Sequence, residues 1–184
     1  MKPALVIIDI QNDYFPGGKM ELEGSPAASL QAAKLLEAFR ARSLPLVHVQ
    51  HVSNRPGASF FLPDSDGVRI HANVAPRPGE TVIQKHFPNS FRETQLLEHL
   101  RALGADHLVI AGMMTHMCVD ATTRAAADLG FSCSLAHDAC ATRALAFGAQ
   151  RVPAAQVHAA FVAALSGLYA QVQSAAALAA EIAA

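Results

Sequence analysis

The chain has 184 residues, 52% hydrophobic and 16% charged, with a formal net charge of −1 from 14 basic and 15 acidic side chains. That is enough apolar material for one domain, residues 1–184, with a sizeable core, and it argues against intrinsic disorder. No cluster of Lys or Arg marks a nucleic-acid or anionic-membrane surface, no stretch approaches the ~20 apolar residues of a bilayer span, and three cysteines without Cys-x-x-Cys spacing suit neither a disulfide framework nor a zinc knot.

Met1-Lys2-Pro3 leads directly into the apolar run ending at Ile8, which is too short for a signal-peptide core and has no small-residue cleavage site after it. A reduced, cytoplasmic protein is expected. Leu5 to Ile8 is an unbroken aliphatic run, the pattern of a strand buried on both faces. Ser25 suits a helix N-cap and Pro26 the first helical position, with Leu30, Leu35, Leu36 and Phe39 continuing the helical period. Pro45 ends that segment, and Leu46 to Val49 reads as a second strand. Asn54 to Gly79 is rich in Pro and Gly without a period, which predicts a long surface excursion.

A third strand is expected over Thr81 to Gln84, followed by a helix from Phe91 to Leu103 closed by Gly104. His107 to Ala111 reads as a fourth strand, Met117 to Leu129 as a helix closed by Gly130, and Phe131 to Ala136 as a fifth strand. A helix from about Pro153 to Leu168, a sixth strand within Tyr169 to Gln173 and a short Ala-rich helix through Leu178 complete the chain. The alternation implies a doubly wound α/β domain: a three-layer sandwich around a mostly parallel sheet of about six strands.

In such sheets the chemistry lies at the carboxyl ends of the strands. Asp9 ends the first strand, Gln50 and His51 the second and Lys85 the third; Gly112 and the segment from Met113 to Cys118 follow the fourth, and Asp138 follows the fifth. A carboxylate, an ammonium and a thiol at three ends are the parts of thiol-based acyl transfer. Unpaired N–H groups and the helix dipole where Cys118 begins a helix are expected to lower the thiol pKa and to hold an oxyanion. Asp9 would accept the thiol proton and return it to the leaving amine, and Lys85 would orient Asp9. Each residue alone has a plainer reading: an inert core cysteine, a turn carboxylate, a solvated lysine.

Three segments carry a family resemblance: Asp9-Ile10-Gln11-Asn12-Asp13-Tyr14-Phe15 with Gly17-Gly18, Lys85-His86-Phe87-Pro88-Asn89-Ser90-Phe91, and Gly112-Met113-Met114-Thr115-His116-Met117-Cys118-Val119. In order and spacing they resemble the isochorismatase-like cysteine hydrolases, a group that includes nicotinamidases and carbamoyl-amide hydrolases. The resemblance implies a triad of Asp9, Lys85 and Cys118. It also implies a cis peptide between Met113 and Met114 that sets the N–H groups of Met114 and Cys118 as an oxyanion hole, with Gln11, Phe15, Phe60 and Phe61 walling the substrate pocket. The two phenylalanines of the excursion read equally well as core.

The expected reaction is hydrolysis of a C–N bond in a small amide, carboxamide or ureido compound through a thioester. Isochorismatases proper cleave a vinyl ether and give a thiol no task. Nicotinamidases carry Asp-x-His after the second strand, where this chain has His48-Val49-Gln50-His51-Val52-Ser53, and strand alternation sends His48 and His51 to opposite faces. No metal and no cofactor are therefore expected, and a non-enzymatic binding module fits an intact Asp, Lys and Cys set least well. His116 lines the pocket or lies partly exposed; His158 reads as a packed or interface residue; Cys133 and Cys140 read as structural, the latter in a small-residue loop. The tail from Val157 to Ile182 is rich in Ala, Leu and Val, which together with the resemblance implies a homo-oligomer.

Overall fold

The structure is a computed structural model that describes residues 1–183. Six strands form one sheet: β1 (Pro3–Ile8), β2 (Leu46–His51), β3 (Thr81–Lys85), β4 (His107–Met113), β5 (Ser132–Ala141) and, numbered after a short hairpin, β8 (Gln171–Gln173). Their spatial order is β3-β2-β1-β4-β5-β8, and each neighbouring pair is parallel. Alternation along β1 sends Leu5 and Ile7 to one face, where they pack with α1 (Ser25–Ala41) and α5 (Ala175–Ala183). Ala4, Val6 and Ile8 go to the other face, under α2 (Leu96–Ala102), α3 (Asp120–Asp128) and α4 (Ala154–Leu165). Both faces are covered, so the strand must be apolar throughout, and its run of aliphatic residues follows from that. The chain builds outward from β1 through β2 to β3, then crosses to β4 on the opposite side of β1. The C-terminal ends of β1 and β4 thus flank the point where strand order reverses, where open sheets leave a crevice.

Close packing at that point requires a glycine. Gly112 in β4 has φ +143°, and a Cβ there would lie 2.1 Å from the carbonyl oxygen of Ile8 in β1. One residue of β4, Ala111, then lies opposite four of β5: Ile110 pairs with Leu135, while Gly112 pairs with Cys140. The bulge places Asp138 where its carboxylate accepts the N–H of Ala175 at 2.7 Å and so caps α5.

Several boundaries differ from expectation for identifiable reasons. The fifth strand runs through the bulge to Ala141, so Cys140 lies in a strand and not in a loop; the pairing partner that extends it is remote in sequence. The N-cap of α1 is Gly24, in the left-handed region at φ 78°, and Ser25 is already helical, its hydroxyl donating to the Leu22 carbonyl. Residues from Phe91 to Gln95 are not helical: the Thr94 hydroxyl donates to the Ser90 carbonyl and accepts the N–H of Leu96, holding a turn ahead of α2. A hairpin of β6 (Leu145–Phe147) and β7 (Gln150–Val152) was not anticipated, because three-residue strands carry no readable alternation. Its signal was the two-residue turn Gly148-Ala149. No helix among the described residues is long and apolar enough to cross a membrane.

Candidate active site

Asp9 is the first residue past β1, held at φ 51° while its N–H donates to the Val49 carbonyl of β2. A left-handed conformation is unfavourable for a residue with a Cβ and is sustained here by the pairing on both sides. The Asp9 carboxylate is buried, and its Oδ2 lies 2.8 Å from Nζ of Lys85 at the end of β3. Both side chains are fully buried. Desolvating two charges costs several kcal/mol per ion and largely cancels their attraction, so stability alone is a poor reason for this pair. The ammonium also donates to the carbonyls of Phe87 and Pro88 at 3.0 and 3.2 Å. Burial alone would push the Lys85 pKa down; Asp9 and Cys118 outweigh it and hold it above the ordinary lysine value.

Cys118 follows β4 in a single π-helical turn, Thr115–Val119, that runs into α3. The Met113–Met114 peptide is cis. The Met114 carbonyl accepts the N–H groups of Met117 and Val119, and hydrogen bonds from Thr115 to His158 of α4 and from His116 to Thr142 pin the turn from two sides. Facing atoms of Asp9, His51 and Cys118 all lie within 4.8 Å of one another. Asp9 Oδ1 accepts no hydrogen bond among the described residues, which leaves it open to a thiol proton.

The thiol itself departs from expectation. Burial pushes the Cys118 pKa well above the ordinary thiol value, Asp9 pushes it further, and Lys85 only partly opposes them. The neighbouring carboxylate and the low-dielectric surroundings outweigh the lowering effect of a helix start. Burial and the facing Asp9 thus both favour the protonated form of the thiol. Removing the Lys85 charge removes the opposing influence, so Lys85→Met is expected to move Cys118 alkylation by iodoacetamide to higher pH than in wild type. An unmoved pH profile would exclude Lys85 from the ion network of the thiol.

His48 and His51 do point apart. His48 is buried and meets Glu80, which Arg40 and the Arg77 N–H hold ionised with a pKa of about 2. His51 faces the site, its Nδ1 3.4 Å from Lys85 Nζ; burial lowers its pKa to about 4, so the ring is neutral at pH 7. Asp9, His51 and Cys118 together make a potential metal ligand set, but the Lys85 ammonium against Asp9 would repel a second cation there.

The proposed pocket residues separate into groups. Gln11 is fully buried, and its amide is committed inside the protein: it donates to the carbonyls of His51 and Val68 and accepts the His51 N–H. It clamps β2 against the excursion and does not present its amide to a ligand. Phe15 stacks on His71 at 3.6 Å, and both line a cavity of about 620 Å³ with Asp13, Lys19, Leu62 and Asp66, a cavity that Phe60 and Phe61 do not line. Asp9, Lys85 and Cys118 do not line that cavity. Phe61 is buried and Phe60 half-buried, 4.9 Å apart between ring centres. Asp13 sets their position by accepting the Phe61 N–H at 2.6 Å, under a Gly67 whose added Cβ would fall 2.2 Å from the carboxylate. His116 is half-buried, edge-on to Phe161.

Tyr14 escaped sequence reasoning as a site residue. It is 2% exposed and sits 4.6 Å edge-on to Phe61, and burial, then the charges of Cys118 and Asp9, raise its pKa well above the usual tyrosine value. Its hydroxyl belongs to the same electrostatic site as the thiol. Position within the Asp9–Phe15 segment was the available signal.

The family model described as the isochorismatase domain matches residues 3–177. The chain is 51% identical over 174 residues to an uncharacterized isochorismatase family protein, YddQ, of Bacillus subtilis, covering 95% of this chain and 97% of that one. It is 31% identical over 144 residues to maleamate amidohydrolase of Pseudomonas putida, covering 71% and 68%. The crystal structure of a candidate isochorismatase hydrolase from Oleispira antarctica superposes with a TM-score of 0.94 at 55% identity, covering 97% and 96%.

Proposed function

The chain belongs to the isochorismatase domain family of hydrolases, and on that footing we propose that it cleaves a C–N bond of a small amide or ureido compound by nucleophilic attack of Cys118. The observation that carries this reading is the convergence of a thiol, a carboxylate with an unengaged oxygen, and a buried ammonium at the point where strand order reverses. A vinyl ether gives the thiol no task, whereas acyl transfer uses all three groups. The relationship to maleamate amidohydrolase points the same way.

In this mechanism Asp9 takes the Cys118 proton as sulfur bonds to the substrate carbonyl carbon. The N–H groups of Met114 and Cys118 receive the developing oxyanion, each such donor contributing ~3–4 kcal/mol toward the transition state. The tetrahedral adduct collapses as Asp9 passes the proton to the departing nitrogen, leaving a thioester. Water, deprotonated by Asp9, then attacks that thioester, and the carboxylic product leaves with the thiol restored. Lys85 remains charged throughout and keeps Asp9 in place.

The test is a panel of small primary amides and ureido acids assayed for ammonia, with the Cys118 peptide examined by mass spectrometry after rapid acid quench. Ammonia release accompanied by an acyl adduct on Cys118 is the expected result. Ammonia release with no dependence on Cys118, or vinyl-ether cleavage that survives Cys118→Ala at the wild-type rate, would overturn the reading.

A further inference from the structure

In the proposed reaction Asp9 protonates the leaving nitrogen and then deprotonates the incoming water, so the water takes the place that the nitrogen vacated. Asp9 Oδ1, which accepts no hydrogen bond among the described residues, can take one proton of that water. An ionised carboxylate only accepts, so it holds the water by a hydrogen and leaves both oxygen lone pairs unfixed. A donor on the other side of the water would bind one lone pair and aim the second. Lys85 is already spent: its three N–H bonds go to Asp9, Phe87 and Pro88 at 2.8, 3.0 and 3.2 Å.

His51 stands in the required position. It pairs with Lys85 across β2 and β3, and one ring nitrogen lies within 4.8 Å of both an Asp9 carboxylate oxygen and the Cys118 sulfur. Gln11 clasps its backbone, donating to the His51 carbonyl at 2.9 Å and accepting the His51 N–H at 2.7 Å. The His51 Nδ1 faces the Lys85 ammonium at 3.4 Å. A proton on Nδ1 would set two donors head to head, so Nδ1 carries the lone pair and Nε2 the hydrogen. Burial keeps the ring neutral near pH 7, so this tautomer persists. Nε2 bonds to no described residue, yet the buried polar side-chain atoms without a partner, among the described residues, belong to Asp9 and His48 alone. The Nε2–H is therefore a donor open to solvent.

We propose that His51 is a water-positioning residue of deacylation, its Nε2–H binding the oxygen of the hydrolytic water while Asp9 Oδ1 accepts a proton of the same molecule. The water oxygen bonds to the thioester carbonyl carbon as that proton passes to Asp9. The adduct collapses, the C–S bond breaks, and Asp9 returns the proton to sulfur. His51 keeps its own hydrogen throughout. The Gln11 clasp gains a purpose, since it holds the strand end that carries the imidazole. The inference rests on Cys118 being acylated, and its test separates the two.

The probe is p-nitrophenyl acetate, which acetylates a reactive cysteine without contacts particular to the natural substrate. Gain and loss of the acetyl group are followed on the Cys118 peptide by mass spectrometry after acid quench, so that Cys133 and Cys140 do not contribute. In His51→Ala, acetylation is expected to stay within about twofold of wild type while deacylation slows about tenfold or more, the scale of one lost hydrogen bond to a reacting atom. His51→Gln keeps an N–H donor on a side chain of similar reach and should recover part of the loss. Hydroxylamine is nucleophilic enough without a positioning donor, and it should clear the acetyl group from His51→Ala at the wild-type rate. Slower clearance would mean that the crevice itself had changed, and would overturn the role. Equal deacylation in wild type and His51→Ala, or equal slowing of acetylation and deacylation, overturns the role of His51 while leaving the thioester reading intact. Failure of wild-type Cys118 to become acetylated overturns both.

Discussion

Cys118→Ala is expected to abolish turnover, lowering kcat on the order of 10⁴-fold or more, because the nucleophile and the covalent intermediate both vanish. Asp9 and Lys85 remain paired in this variant at their buried 2.8 Å contact, so no uncompensated charge is created. The alanine leaves only a small void at a position that is 4% exposed, and the stability cost should be about 1 kcal/mol. Fold and activity are thereby separable: a folded protein with an unchanged circular dichroism spectrum and a lost rate. A purified variant that retained a tenth of wild-type kcat would exclude covalent catalysis through sulfur.

Asp9→Asn should divide two properties that move together in most active-site variants. Turnover should fall by ~10²–10⁴-fold, since the amide can neither take the thiol proton nor return it to the leaving nitrogen. The thiol, by contrast, should become easier to ionise. Asp9 raises the Cys118 pKa and Lys85 lowers it, so deleting the carboxylate leaves the lowering influence unopposed. Alkylation of Cys118 by iodoacetamide should therefore begin at lower pH in Asp9→Asn than in wild type, the reverse of the displacement expected for Lys85→Met. The buried lysine loses its counter-ion, and breaking a buried pair costs ~3–5 kcal/mol; a depressed Tm is part of the expected outcome. A shift of the alkylation profile to higher pH would mean that the carboxylate does not face the thiol.

The opposite signs of those two displacements carry more than either alone. A merely structural role for Asp9 and Lys85 would disturb the turn at Thr115–Val119 in both variants and move both profiles the same way. Opposed shifts require that the thiol feel both charges directly, at the separation the crevice imposes.

The local sequence determined the cores of the six strands of the main sheet, their succession along the chain and which residues stand at their ends. Leu5 to Ile8 is legible as a buried strand because covering both faces of a parallel sheet demands aliphatic side chains at every position. The strand-end rule then singles out Asp9 and Lys85 without any knowledge of strand order. The opposite facing of His48 and His51 followed from pleat alternation alone. These are consequences of period and chain order, which are local properties.

What only the tertiary structure decided depends on partners remote in the chain and on the dielectric of the finished interior. The order β3-β2-β1-β4-β5-β8 brings Asp9 beside Cys118, 109 positions further along the chain, and nothing near either residue encodes that adjacency. The extension of β5 to Ala141 exists because β4 pairs with it beyond a bulge, while the local composition Ala139-Cys140-Ala141 reads as a loop. Gln11 passes from an expected pocket residue to an internal clamp because its amide meets backbone groups of His51 and Val68, 40 and 57 residues away. Tyr14 enters the electrostatic site through the same assembly. The thiol pKa shows the division most clearly. A helix start lowers it by a local effect that sequence can anticipate, but burial and a facing carboxylate raise it, and both exist only once the chain has folded.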